Sequence, residues 1–552
     1  MKNIVMLACL ALLIVACQPS PQQPPVTILA NAEIWQGADL APQQLDIAIQ
    51  SGKIIAIEKN LAETYPAATI IDHTGQAILP GFIDSHAHIH EFGQQALKAN
   101  LVGAETVAEM VARMQAFFPN PTPGEWLIGQ GWDEGKWAGK GYPDRQLLDE
   151  AFPDNPVRLQ SLHGFAGFYN AKALEIAGIN ADTKDPEVGR IIRRADGSPT
   201  GVMETLAQQM VNQHIPVESL EQTKEAILAG LHKMKAAGVT MVHEAGMNPQ
   251  VVQAYLELDE AGLLPIRVFG MLDGNNQTLM EEWFAKGPRV GSDRMFHVKG
   301  IKVFYDGSLG SRTALLFAPY SDNPRAAKMT ERIAIADIQK LAVQAAEKGF
   351  QMAVHTIGDA GNDRILILYE QVLGEDAPNH RWRLEHAQIV RPDFYQKAAK
   401  GQYYVSMQSS HAVGDSPWAE DRLGAERIQH AYAWRNMLNA NVPVILNSDL
   451  PGEPWTPIET LYFGVTRMRL DETPTGGWYP EQAFTLTEAL EAMTTVPAKA
   501  SFMEDQVGKI AVGYQADLVI LDQAPWSLPA VELKNLQVKK VYLAGNPIVE
   551  NH

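Results

Sequence analysis

Two histidines separated by one residue, His86 and His88, end an apolar run that starts Ile78-Leu79-Pro80-Gly81-Phe82-Ile83. On a strand, residues i and i+2 face the same side, so both imidazoles can point off the end of one buried strand. That geometry suits two ligands on one metal ion, although a buried histidine also serves as a plain hydrogen-bonded core residue. Four further apolar segments carry residues of the same kind. Lys302 sits mid-strand in Val298 to Phe304, His355 ends Met352-Ala353-Val354, His386 follows Arg383-Leu384-Glu385, and Asp449 follows Val444-Ile445-Leu446-Asn447-Ser448.

These residues need a scaffold that brings strand ends together. Strand-like runs occur at 78–83, 239–243, 266–271, 298–304, 351–355, 381–385, 403–407 and 442–447. Helical patterns lie between most of them, such as Thr223 to Ala237 and Ile335 to Lys348. Eight β/α units in an α/β chain predict a TIM (β/α)8 barrel over 80–504, in which the C-terminal strand ends line one mouth. The gap after the first strand is too long for one helix. An insertion over about 115–222 is expected there, with strands at 126–129 and 157–160. Residues 26–79 and 505–552 read as short strands and turns, and predict one small β-sandwich domain built from both termini.

Composition narrows the function classes. The chain has 552 residues, 46% hydrophobic and 20% charged, with a formal net charge of −19. No basic run interrupts that acidity, so no nucleic-acid partner is expected. Neither GxGxxG nor GxxxxGK[ST] occurs, so no nucleotide site is implied. The two cysteines, Cys9 and Cys17, both lie near the N-terminus, which excludes thiolate metal sites and cysteine nucleophiles from the body.

The N-terminus reads as an export signal. Lys2 precedes the apolar run Ile4 to Val15, which is short for a membrane span. Ile14-Val15-Ala16-Cys17 resembles a bacterial lipobox, which makes 1–16 a signal peptide and Cys17 the lipidated first residue of the mature chain. The alternative is an ordinary signal peptide with an incidental cysteine. Residues 17–25 form a Pro-rich tether. Gln18 after Cys17 resembles the outer-membrane-sorted class, so the expected location is the cell envelope, anchored by lipid and facing the periplasm.

With these motifs in view, the chain resembles the amidohydrolase superfamily over about 26–550. Within it, the third amidohydrolase family and its YtcJ-like branch, related to N-substituted formamide deformylases, match best. The stretches Gly300-Ile301-Lys302-Val303-Phe304-Tyr305-Asp306-Gly307-Ser308, Trp132-Asp133-Glu134-Gly135-Lys136-Trp137 and Val512-Gly513-Tyr514-Gln515-Ala516-Asp517 carry that resemblance. It implies that His86, His88 and Asp449 hold one divalent metal, with Zn²⁺ the expected ion, and that His355 and His386 hold a second. Lys302 would bridge the two as a carbamate formed with CO2, since an ammonium has no lone pair and carboxylation makes it a bidentate anion. A snorkelling or ion-paired lysine is the alternative. The resemblance also implies that metal-acidified water attacks a carbonyl while Asp449 moves the proton to the leaving nitrogen. The other reading of Asp449 is a structural cap before Pro451.

Further candidates surround that set. His163 resembles a substrate-contacting histidine of the branch, or is structural. Arg312 orients substrate or pairs with an acid. His411 could reach substrate or a neighbouring ligand, His243 and Glu244 could support the ligands, and His90 is exposed or packed. Trp132, Trp137, Phe165 and Phe168 line an apolar roof or form core. The expected activity is hydrolysis of a non-peptide C–N bond in an N-acyl or N-formyl amine or a related small-molecule amide. The alternatives are an ester, lactone or cyclic-amide hydrolase, and a catalytically inactive binding lipoprotein. Apolar surface on the insertion could support a homodimer.

Overall fold

The computed structural model describes residues 24–548 except 134–136, 138–140, 163, 293 and 324–330. Cys17 and His163 therefore lie outside the described residues, as does the centre of the Trp132 to Trp137 stretch. Among the described residues, no helix is long and apolar enough to cross a membrane.

Eight parallel strands form the barrel: β1 (Phe82–Ala87), β2 (Val239–Met247), β3 (Arg267–Asp273), β4 (Phe296–Phe304), β5 (Gln351–Thr356), β6 (Arg383–His386), β7 (Tyr404–Gln408) and β8 (Val444–Asn447). They hydrogen-bond in sequence order. The barrel closes just past the strand ends, where Ala87 bridges Leu450 in parallel. There Asp449 N donates to His86 O at 2.9 Å and His88 N donates to Leu450 O at 3.1 Å. The seam of the barrel is thus also where His86, His88 and Asp449 meet.

The first strand differs from the expectation of 78–83. The apolar run serves two sheets. Ala77–Pro80 pairs antiparallel with Leu518–Leu521, and only from Phe82 onward does the chain join β2. Gly81 is the break: a Cβ there would stand 2.2 Å from the Thr240 side chain. A single hydrophobic stretch gives no periodicity signal for such a division.

Ala77–Pro80 belongs to an eight-stranded sheet assembled from both ends of the chain. Strand Thr27–Ile34 runs antiparallel to Gln43–Gln50 on one side. On the other it pairs first with Thr69–Asp72 and then with Ala77–Pro80. One core of the sheet holds Leu29, Ile47, Ile78, Leu518, Ile520 and Tyr542, and a smaller one holds Ile28, Ala30, Ala48 and Leu61. A buried ion pair ties it to the barrel, Arg267 Nε to Asp517 Oδ2 at 2.6 Å.

Between β1 and β2 a separate six-stranded sheet is built from Ala99–Asn100, Leu127–Trp132, Val157–Ser161, Ala166–Tyr169, Ile191–Arg193 and Pro199–Glu204. It begins before the expected 115, because a two-residue strand has no hydrophobic run to announce it. Two helices flank it in the chain. Helix α1 (Ile89–Ala96) starts directly after His88, and α2 (Leu220–Ala236) opens with a Ser219/Gln222 capping box and buries Ile227, Leu231 and Met234. Helix α3 (Ile335–Lys348) separates β4 from β5 and ends at Gly349 with φ +76°.

Candidate metal centre

The β1 ligands are held from behind. His86 is fully buried, and its Nδ1 lies 2.5 Å from Glu385 Oε2. An imidazole that donates Nδ1–H to a carboxylate keeps its lone pair on Nε2. That Nε2 lies 2.8 Å from Lys302 Nζ and 3.4 Å from Asp449 Oδ1. His88 Nε2 also lies 3.4 Å from Asp449 Oδ1. His88 precedes α1, whose first N–H groups point at the buried Glu244 carboxylate: Ile89 N donates at 2.7 Å and His90 N at 3.4 Å. Burial pushes Glu244 up to about 7, against its bonds and against His88.

His355 and His386 face each other from β5 and β6, with ring centroids 4.5 Å apart. His386 Nδ1 lies 2.8 Å from Gln408 Oε1, and Gln408 Nε2 donates to Asn447 Oδ1 at 2.7 Å. His355 Nε2 lies 3.2 Å from Gly307 O. Each ring therefore has one nitrogen engaged by an acceptor, which leaves a lone pair on the other. The Gly307 carbonyl is fixed in turn. Asp306 accepts from Leu315 N, Ile357 N and Gly358 N, each at 2.9 Å, and so clamps the Gly-Ser loop to the end of β5. A Cβ on Gly307 would collide with Thr313 at 2.0 Å.

The electrostatics are those of a crowded cluster. Burial drives the Lys302 ammonium down to about 8, although Glu385 and Asp449 oppose it. Among the described residues, no carboxylate lies within ion-pair distance of Lys302, so its one close polar partner is a histidine nitrogen. Burial and Lys302 together lower His86 to about 4 and His355 to about 3. Asp449 resists burial: His86, His88, His386 and His411 hold it well below the usual carboxylate range. Glu385 is likewise held low against burial by Arg383 and His86.

The donor set fits a divalent cation. His86, His386 and Asp449 each offer a ligand atom, and these atoms all lie within 4.8 Å of one another. Several imidazole lone pairs and a carboxylate facing a shared space repel one another unless a cation sits among them. Exposure is graded across the set. The side chains of His86 and His386 are 0% and 4% exposed, whereas Asp449 is 17% and His88 and His411 are each 21% exposed. His411 Nε2 reaches within 3.8 Å of Asp449 Oδ2, and its ring stacks on His386.

Not every expected site residue joins this cluster. Trp132 is fully buried in the insertion sheet, and its Nε1 donates to Leu159 O at 2.9 Å. It packs with Trp137 and Phe168 as core, which corrects the substrate-contact reading. Arg312 gives its guanidinium to Asp322 through two bonds, at 3.1 and 2.6 Å, so the ion-pair alternative is the one realised. His90 Nε2 turns to Glu218 at 3.1 Å. His243 Nδ1 accepts from Arg383 Nη1 at 2.9 Å, deep beneath the ligands.

Nothing in the sequence singles out Glu385, Arg383, Gln408 or Asp306. Regular alternation turns Glu385 and His386 to opposite faces, and it gives no cue that both reach the barrel interior. The chain manages it because His386, the last residue of β6, adopts φ +74°. Arg383 and Glu385, two residues apart, share the inward face and join at 2.6 Å.

Comparison with known proteins agrees with this geometry. The model of the Amidohydrolase family matches residues 69–549. The putative amidohydrolase YtcJ of Bacillus subtilis is 29% identical over 89% of this chain and 93% of its own length. The protein LONG AFTER FAR-RED 3 of Arabidopsis thaliana is 30% identical over 91% and 89%. The N-substituted formamide deformylase of Arthrobacter pascens is 28% identical over 87% and 90%. Among solved structures, an uncharacterized metal-dependent hydrolase from Pyrococcus furiosus superposes with a TM-score of 0.73 at 25% identity, covering 91% of this chain and 99% of its own. The strand-end histidines, the barrel that gathers them and the length of the match lead to one statement: this chain belongs to the amidohydrolase family.

Proposed function

We propose that this protein hydrolyses a non-peptide C–N bond, in an N-acyl or N-formyl amine or a related amide, at a centre of two divalent ions with Zn²⁺ the best fit. The observation that carries this reading is the position of Asp449, whose carboxylate stands between His86 and His88 yet stays partly open to the mouth. Metal bound here would acidify water and polarise a substrate carbonyl. Asp449 would take the proton from that water and deliver it to the leaving nitrogen. His88 and His411, the other partly open groups, border the path a substrate takes to Asp449. Lys302, buried with no carboxylate partner among the described residues, would serve as a CO2-derived carbamate joining the two halves of the ligand set. Relatives with the printed names amidohydrolase and formamide deformylase support the amide assignment. We further propose that the chain is exported and anchored through Cys17; Cys17→Ser should release it to the soluble fraction, and identical fractionation of variant and wild type refutes the anchor.

The test combines metal analysis with a substrate panel. After reconstitution with Zn²⁺ and bicarbonate, the full chain should approach about two ions, and Lys302→Ala should lose both metal and turnover. N-formyl and N-acyl amines should be cleaved in preference to matched esters and lactones. Turnover of esters alone overturns the amide reading, and metal retained in Lys302→Ala overturns the bridge.

A further inference from the structure

A cavity lies between the barrel helices α1 and α2 and the insertion. It has a volume of about 640 Å³ and is lined from both units, within the range of cavities that hold small molecules. Its wall combines two kinds of surface. Phe92, Val102, Phe117 and Leu162 supply apolar area, and three of these are unusually open for large apolar side chains: Val102 is 52%, Phe117 42% and Leu162 54% exposed. Lys98 and Lys233 supply charge, and among the described residues every other polar side chain in the wall is an uncharged amide or hydroxyl.

Among the described residues this wall holds no acid, in a chain with 64 acidic against 45 basic residues. Among the described residues, Lys98 and Lys233 make no ion pair or side-chain hydrogen bond; Lys233 Nζ only overlies the Phe92 ring at 5.6 Å. Glu218, the acid that acts on Lys98, is occupied elsewhere and accepts from His90 and from Gln94, the latter at 2.5 Å. Burial and the nearby Arg158 both disfavour the charged form of Lys98. An arriving anion would relieve that cost.

We infer that this cleft binds an amphiphilic anion, a carboxylate or phosphate head carried on an apolar body. Lys98 and Lys233 hold the head, and the Phe117–Leu162 side receives the body. Phe92 connects the cleft to the mouth of the barrel, because its ring packs on Trp455 at 4.9 Å, in the segment that follows Asp449. The site is nevertheless separate from the metal ligands, and the inference does not depend on the hydrolase reading.

Calorimetric titration of the full chain with decanoate, decyl phosphate and decanol tests it. At least one anion should bind saturably, and the tighter of the two identifies the head group. Its affinity should fall about tenfold or more, roughly 1.4 kcal/mol, in Lys98→Gln/Lys233→Gln, while metal content stays at the wild-type level. Because Lys98 is half-buried, wild-type salt dependence provides a reading free of folding effects: anion affinity should drop as ionic strength rises, and decanol affinity should not. Decanol binding as tightly as either anion, equal anion binding by the double variant, or no saturable binding by either anion overturns the proposal.

Discussion

The barrel mouth and the insertion sheet both bury aromatic and polar side chains, yet they treat polar atoms in opposite ways. In the insertion, buried indole and amide groups turn to the backbone. Trp132 Nε1 goes to Leu159 O, Trp137 Nε1 to Ala104 O, and Asn170 serves Phe152 O, Asn155 O and Val157 N. At the mouth, the ligand side chains point mostly at other side chains. His86 faces Lys302, His355 faces His386, and Asp449 is approached by His86, His88, His386 and His411. Buried polar groups that close on the main chain hold a fold together. Buried groups whose lone pairs converge without a donor need an ion to make the arrangement favourable.

The mouth also stores backbone strain. Asp449 has φ +55° and His386 φ +74°, in the left-handed region that costs about 1–2 kcal/mol for residues with a Cβ. Both strained residues are members of the ligand set. The surrounding network makes that tenable: Asp84 accepts from Ser448 Oγ at 2.6 Å, and Asp449 N is held by His86 O.

The sharpest break between the two regions is expected at Asp449. Asp449→Asn keeps the shape and one ligand oxygen but cannot carry a proton. Turnover of the amide found by the panel should fall by about 10²–10⁴-fold with the fold retained. Steady-state kinetics beside circular dichroism measures both; near-normal kcat would hand the proton transfer to another group, with His411 the nearest imidazole outside the proposed ligand set.

Trp132→Ala should do the reverse. Loss of a fully buried indole costs about 3–5 kcal/mol, so the insertion should unfold at lower denaturant concentration. Metal stoichiometry should be unchanged, because no ligand of the cluster lies in that sheet. A variant of normal stability with reduced substrate affinity would restore Trp132 as a contact residue.

Much of this contrast is legible in the amino-acid sequence. The eight barrel strands, α3 and the His, Lys and Asp set follow from apolar runs that end in chemistry-bearing residues. The residues behind the ligands are illegible there for a physical reason. Glu385, Gln408 and Asp306 act across strands, and pairings such as His86 with Glu385, 299 positions apart, leave no mark in local spacing. Trp132 misleads because a buried aromatic in a core and one in a pocket roof look alike in sequence. The Gly81 division of one apolar run stays hidden because both halves are equally hydrophobic.

Glu385→Gln probes the supporting layer. The amide keeps an acceptor for His86 but gives up the charge shared with Arg383. Partners that orient a ligating histidine typically account for about 10–100-fold in metal affinity. Competition with a chelator should show a loss in that range, smaller than the effect at Asp449. Unchanged affinity would reduce Glu385 to a structural partner of Arg383.

The smallest effect is expected at Arg312, where the comparison is most delicate. Its loop belongs to the barrel mouth by position but resembles the insertion in chemistry, since the guanidinium is already bound by Asp322, which Arg422 also approaches. A side chain engaged at two nitrogens has little left to offer a substrate, and an ion pair this open to water contributes little to stability. Arg312→Gln should therefore leave KM within about twofold of wild type, and Tm within about 2 °C. The side chain sits on a residue with φ +58°, so Arg312→Gly should be at least as stable as Arg312→Gln, because glycine adopts that conformation without strain. A substrate-orienting arginine behaves differently. Both variants would raise KM by about tenfold or more, as expected for loss of a charge-assisted hydrogen bond, and they would do so equally whatever their stabilities. Measuring KM and Tm on the two variants together thus separates a residue that shapes its own loop from one that reads the substrate.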